Sequence, residues 1–155
     1  MTLYALRPAP ETGSLDDAEV VDQSRYGWQF LEQAITLWRL VDNARADEIE
    51  AIKDRASLAA GDGEIHFYAP DLHELVCLLT GIEEAIVAAG VVDSHWRVPA
   101  AHLEELARRV PAMDLTTERP LHSKTNALAE VMINAVFLRN FLSDAVKEGC
   151  VVALG

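Results

Sequence analysis

Arg97 and His102 are the two side chains of this sequence whose types and spacing suit catalysis, and both stand in the stretch "RVPAAH". An arginine guanidinium can hold two oxygens of a phosphate group at once. A histidine imidazole can give or take a proton near neutral pH. Together such groups would support acid–base chemistry at a phosphodiester.

The spacing in "RVPAAH" is similar to the Arg-x4-His motif of HEPN-type ribonucleases, in which a helix bears both residues. This resemblance implies that Arg97 binds the phosphate while His102 moves the proton. Pro99 departs from the pattern, because proline disfavours a helical conformation at the residue before it. We therefore expect Arg97 to precede the helix that carries His102. A small helical enzyme or ligand binder that uses His102 with Arg97, or His66 with His73, is our alternative hypothesis.

The other residues that could carry chemistry form no recognised pattern. No two of the five histidines have the i, i+4 spacing of a zinc-binding H-E-x-x-H helix, and Cys77 and Cys150 do not form a CxxC pair. The chain also lacks the glycine-rich nucleotide-binding motifs and the G-x-S-x-G turn of serine hydrolases. Our leading hypothesis therefore contains no metal, no cofactor and no catalytic residue.

The entire net charge of −12 comes from residues 1–94. Residues 1–94 carry 18 acidic and 6 basic side chains, whereas residues 95–155 carry 7 of each. An acidic field repels phosphate backbones and attracts basic proteins. We therefore expect no direct binding to nucleic acid, and we predict a basic protein partner, such as one that itself handles nucleic acid.

The sequence also predicts the compartment. No apolar run approaches the roughly 18 residues that a transmembrane helix needs, and no basic segment followed by a long apolar stretch opens the chain. Two cysteines without a disulfide framework are typical of a reducing compartment. We predict a soluble cytoplasmic protein that does not bind membranes.

Hydrophobic periodicity predicts a mainly α fold, a four- to five-helix bundle in a single domain. Residues 1–23 collect proline, glycine, serine and acids, so we assign them to an N-terminal arm or loop and the helical domain to 24–155. The termini and residues 64–69 are rich in β-formers and leave room for a minor short β element. The predicted helices cover residues 24–43, 47–60, 71–89, 99–110 and 124–148. Two alternatives stay open for the second helix, a continuation of the first helix and a new start after Asn43.

The last predicted helix places two large rings on its polar side. At about 100° per residue, Phe137 and Phe141 fall among the amides and acids of the helix, away from its core stripe. Two interpretations remain open: the N-terminal arm or the first helix packs the rings, or the rings form an anchor for another chain. The core stripe consists of Leu128, Val131, Ala135, Leu138, Leu142, Ala145 and Val146.

The second interpretation gives the leading functional hypothesis, a non-enzymatic protein-binding module. Small size, acidic charge and missing catalytic motifs are shared, as an analogy of composition, by inhibitors, immunity proteins and antitoxins that act on a basic, nucleic-acid-handling partner. A self-assembling structural homo-oligomer is a further alternative. The predicted protein-binding residues are Phe137, Phe141, Asn134, Glu130, Asp144 and Trp28.

Overall fold

The two ends of the chain pair with each other in an antiparallel sheet. A computed structural model shows this sheet and describes residues 1–92 and 121–155, with only the backbone described for residues 121–130. In chain order the described elements are β1 (Leu3–Arg7), β2 (Glu19–Ser24), α1 (Gly27–Arg39), α2 (Asn43–Ala60), β3 (His66–Phe67), α3 (Ala69–Leu79), α4 (Ile82–Ala88), α5 (Leu121–Lys147) and β4 (Val151–Leu154).

The prediction of a mainly α helix bundle is wrong, because four strands in the order β2-β1-β4-β3 make this an α+β fold. β1 and β4 occupy the two central positions, with Leu3 paired to Leu154 and Leu6 paired to Val151. The termini and residues 64–69, expected to supply a minor β element, contribute three strands of this sheet. Their pairing joins distant parts of the chain, so it leaves no periodic signal in the local sequence.

The fourth strand, β2, begins within the segment that we assigned to an N-terminal arm or loop, residues 1–23. It pairs with β1, and Val21 forms a bulge because Ala5 faces Asp22 while Leu6 faces Val20. None of the six β2 side chains is buried. The strand therefore lacks the alternation of apolar and polar residues that identifies a half-buried strand in a sequence.

One face of the sheet, the inner face, packs against the helices. Leu3 and Ala5 of β1 and Val152 of β4 are buried there. Gly27, at the start of α1, approaches β1 so closely that a Cβ atom would stand 2.7 Å from Leu3 Cδ1. The opposite face, the outer face, carries the alternate residues of β1, which are only half-buried. The core therefore lies between the inner face and the helices.

The described helices all differ in their bounds from the predicted ones, and two of the differences have a clear structural cause. Helix α2 is separate from α1 and begins at Asn43, ahead of the predicted cap at Asp47, because the Asp42 side chain accepts a hydrogen bond from the Arg45 backbone N–H at 3.1 Å and caps the helix. The helix predicted over residues 71–89 is two helices, α3 and α4, separated at Gly81, whose φ of 85° is left-handed. The predicted helix over residues 99–110 lies outside the described residues.

Candidate protein-binding surface

Helix α5 exposes one continuous stripe of side chains. Four exposed residues, Ile133, Phe137, Asn140 and Asp144, recur at i, i+4, i+7 and i+11, which places them on one side of a helix. We call these four residues the α5 outer face. The other side of the helix is buried and includes Val131, Met132, Ala135, Leu138, Leu142 and Ala145.

Polar contacts to three other elements hold α5 in this orientation. Asn134 Nδ2 donates a hydrogen bond to Gln33 Oε1 of α1 at 3.2 Å. Arg139 forms an ion pair with Glu83 of α4 at 3.6 Å, and both side chains are less than a quarter exposed. Near the C-terminal end of α5, Arg7 of β1 donates a hydrogen bond to Glu148 at 2.9 Å. Together with the buried stripe, these contacts fix which side of α5 faces solvent.

The two phenylalanines that the sequence predicts on one side of the helix differ in their exposure to solvent. Phe137 is 61% exposed, whereas Phe141, one turn further along α5, is 8% exposed and belongs to the core. On a helical wheel the two positions differ by about 40°. Phe141 lies at the boundary of the buried side, and that small rotation is enough to bring it under cover. Phe137 is therefore the ring that remains available to another chain.

The other residues predicted to bind a protein are also divided between core and surface. Trp28 is buried, with its ring centroid 6.4 Å from that of Phe67. Asn134 is half-buried and hydrogen bonded to α1. Asp144 is exposed and accepts a hydrogen bond from Lys147 at 3.2 Å. The side chain of Glu130 lies outside the described part of the chain.

Ile133 and Phe137 form an exposed apolar strip on α5. They are four residues apart, a spacing at which neighbouring side chains on a helix touch, and Ile133 is 53% exposed. The exposure of Ile133 becomes evident only from the fold. Asn140 and Asp144 continue the strip with polar groups. An apolar centre beside polar groups is the arrangement typical of a protein-binding surface.

The hairpin that connects β1 to β2 concentrates negative charge. Residues 8–24 contain five acidic side chains and no lysine or arginine. Among the side chains described, those of residues 1–92 and 131–155, one of the five forms an ion pair: Glu19 with Arg7, at 3.1 Å. A basic molecule approaching this end of the sheet would meet four further carboxylates. These are Glu11, Asp16, Asp17 and Asp22.

A shallow apolar cleft of about 260 Å³ lies on the outer face of the sheet. Tyr4 and Leu6 of β1 and Val20 of β2 line it together with residues of β4. Its one charged lining residue is Glu64. No sequence pattern indicated this cleft, because strands distant in sequence form it.

The catalytic hypothesis gains no geometric support from the described residues. Arg97 and His102 lie in residues 93–120, outside the described part of the chain. His66 is half-buried beside Glu64, at 3.6 Å, and His73 is exposed on α3. In residues 1–92 and 131–155, no three histidine, cysteine, aspartate or glutamate side chains come together as metal ligands would. The enzyme hypothesis stays a prediction.

The two thiols differ in their surroundings. Cys77 is exposed on α3, whereas Cys150 is buried just before β4. Burial raises the pKa of the Cys150 thiol, because the thiolate is less well solvated than the neutral group. Cys77 is therefore the more accessible thiol for a reagent in solution.

Comparison with known proteins found no matching family model and no significantly similar curated protein or solved structure. None of the helices in the described residues is long and apolar enough to cross a membrane. Any assignment of function therefore depends on the surfaces described above.

Proposed function

We propose that this protein is a protein-binding module whose partner docks on the α5 outer face. The observation that carries the proposal is the exposure of Phe137, 61%, on a helix whose opposite side is buried. Single exposed apolar residues are common on protein surfaces. Here a second exposed apolar residue, Ile133, lies one turn away, so the two form a strip.

Such a strip suits the centre of an interface. Burying an aromatic side chain against a partner contributes about 1.5–3 kcal/mol, and large rings dominate the binding energy of many interfaces. Asn140 and Asp144 would lie beside the buried centre and supply hydrogen bonds or charge to the partner. Because α5 is held by contacts to α1, α4 and β1, the face is pre-organised and little entropy is lost on binding.

The chemistry of the partner follows from charge. With a net charge of −12, the protein attracts basic surfaces over long distances and increases their rate of encounter. We propose that the partner is a basic protein of the kind that handles nucleic acid. In that case the module belongs functionally with the inhibitors, immunity proteins and antitoxins.

A pair of matched variants tests the proposal. Phe137→Glu places a charge in the centre of the α5 outer face, and Leu58→Glu makes the same change at an exposed residue of α2. A partner captured by the native protein and then purified should bind Phe137→Glu at least about thirtyfold more weakly, which is the loss expected at an interface hot spot. Binding to Leu58→Glu should match that of the native protein in calorimetric titration.

Three results would contradict or redirect this proposal. Equal loss of binding in both variants would mean that the loss does not depend on the α5 outer face. Unaltered binding by Phe137→Glu would show that the partner does not bind at the α5 outer face. In sedimentation experiments, a native oligomer that Phe137→Glu dissociates without unfolding would identify the partner as a second copy and support the homo-oligomer alternative.

A further inference from the structure

We propose that the free edge of β2 is a second binding site, which accepts an extended segment of a partner in which basic and apolar residues alternate. The sheet order is β2-β1-β4-β3, so β1 pairs with one edge of β2, and no described strand lies beyond the other. An edge strand of this kind presents unpaired backbone N–H and C=O groups to another chain. This site is separate from the α5 outer face and goes beyond the function proposed above.

The register of β2 against β1 assigns a side of the sheet to each of its side chains. Directly opposed residues in an antiparallel pair project on the same face. Asp22 lies opposite Ala5, which is buried on the inner face. Glu19 lies opposite Arg7, which is two residues from Ala5 on β1 and therefore projects on the same face. Both acids therefore project on the side of the sheet that faces the helices.

The bulge at Val21 is what places these two acids together. Residues three apart on a regular strand point to opposite faces, because side chains alternate. The bulge inserts one additional residue between Val20 and Asp22, so Glu19 and Asp22 share a side. The edge thus presents two exposed carboxylates on its inner side, that of Asp22 and that of Glu19, which forms an exposed ion pair with Arg7 at 3.1 Å. Asp22 is therefore the main attractive charge for a basic side chain at this edge.

The outer side of the same edge is apolar. Val20 lies opposite Leu6, is 56% exposed, and lines the shallow cleft together with Tyr4 and Leu6. An added strand would direct alternate side chains to the two sides of the sheet. Those on the inner side would meet Glu19 and Asp22, and those on the outer side would meet Val20 and the mouth of the cleft. The complementary segment alternates lysine or arginine with apolar residues.

Charge also argues against a second copy of this chain as the occupant. Two β2 strands paired edge to edge would bring carboxylates against carboxylates, and like charges opposed across strands are destabilising. The connecting loop adds Glu11, Asp16 and Asp17 to the same end of the sheet. A basic segment meets this charge favourably and a second acidic hairpin does not.

Two synthetic peptides of identical composition test whether binding requires basic and apolar residues to alternate. One alternates lysine and valine over six residues, the length of β2, and the other contains the same residues as a lysine block followed by a valine block. The full-length protein is titrated with each peptide, and amide hydrogen exchange is followed by NMR. The alternating peptide should slow exchange within Glu19–Ser24 and should bind at least about tenfold more tightly than the block peptide.

A matched pair of protein variants tests whether the peptide binds beside Asp22 of β2. Asp22→Lys should weaken binding of the alternating peptide about tenfold, because the substitution replaces an attractive charge pair by a repulsive one across the strands. Asp54→Lys makes the same charge change at an exposed residue of α2 and should alter binding much less. Asp22→Asn, which keeps the acceptor for the Gln23 N–H, should give an intermediate loss if the charge itself is responsible.

Several results would overturn the proposal. Equal affinity for the two peptides, or equal loss in Asp22→Lys and Asp54→Lys, would show attraction to overall charge alone. Protection of amides elsewhere than in β2 would place the peptide at another site. Absence of peptide binding, together with aggregation of Asp22→Asn, would mean that the acids only protect the edge from pairing with other copies.

Discussion

Two neighbouring turns of α5 carry the same side chain in opposite environments. Phe141 is part of the core, and Phe137 is mostly in solvent. The difference arises from the position of each residue on the helix, because Phe141 lies about 40° closer to the buried side than Phe137 does. A helical wheel gives the direction of a side chain, whereas the rest of the fold decides whether anything covers it.

The largest expected effect is the difference in stability between alanine variants at these two positions. Phe141→Ala should lower the free energy of unfolding by about 3–5 kcal/mol, because it leaves a cavity in the core. Phe137→Ala should change it by less than about 0.5 kcal/mol, since the ring has little packing to lose. Urea unfolding followed by circular dichroism measures both. Similar losses in the two variants would mean that the surroundings of the rings are alike.

A smaller effect is expected from filling the close contact between α1 and β1. Gly27→Ala should cost about 1–3 kcal/mol, because the new methyl group would stand 2.7 Å from Leu3 Cδ1 and 2.8 Å from Leu3 Cγ. Leu3 is buried, so its side chain has no free space to move into.

A double-mutant cycle isolates this contact. In a Leu3→Ala background the two closest contacts, with Cδ1 and Cγ, are removed and only Cβ at 3.0 Å remains, so Gly27→Ala should cost much less than it does alone. Additive losses in the cycle would show that the methyl group is not in conflict with Leu3.

The smallest expected effect concerns the two thiols, which repeat the contrast between packed and exposed positions. Burial raises the pKa of Cys150 in the folded state, so above about pH 8.5 the unfolded chain ionises this thiol more readily than the folded one does. Stability from this group is complete below that pH and decreases as the pH rises through the folded-state pKa. Unfolding curves recorded at pH 7.5 and at higher pH values should show the decrease.

Variants at the two cysteines test whether the Cys150 thiol causes this pH dependence of stability. Cys150→Ala should remove this part of the pH dependence, whereas Cys77→Ala should retain it. Retention of the full pH dependence in Cys150→Ala would place its origin at another group. The rate of thiol alkylation gives a second measurement, in which Cys77 should react before Cys150.

The sequence predicted the buried side of α5 well, because a helix repeats locally. Val131, Ala135, Leu138, Leu142 and Ala145 were assigned to the core stripe and all are buried. The start of the first helix was less well predicted, since the helix predicted from residue 24 begins at Gly27, and Tyr26 before it is exposed. At helix ends, what covers a residue depends on the elements that come before and after.

The sheet was underestimated for a different reason. A strand is recognised in a sequence by alternation over several residues, and β3 has two residues while β4 has four. β2 has six residues but no buried face, so its composition is that of a loop. Both the free edge of β2 and the cleft on the outer face depend on pairings between distant residues. Local sequence patterns alone therefore cannot predict the edge or the cleft.

The central position of β4 has a consequence for folding kinetics. Leu3 pairs with Leu154, so forming the middle of the sheet closes a loop across almost the entire sequence. The entropy of such a closure is lost before the contact is gained, and high contact order slows folding. During synthesis β1 can pair only with β2 until residues 151–154 have emerged from the ribosome. We expect the helices to form early and the sheet to be completed last.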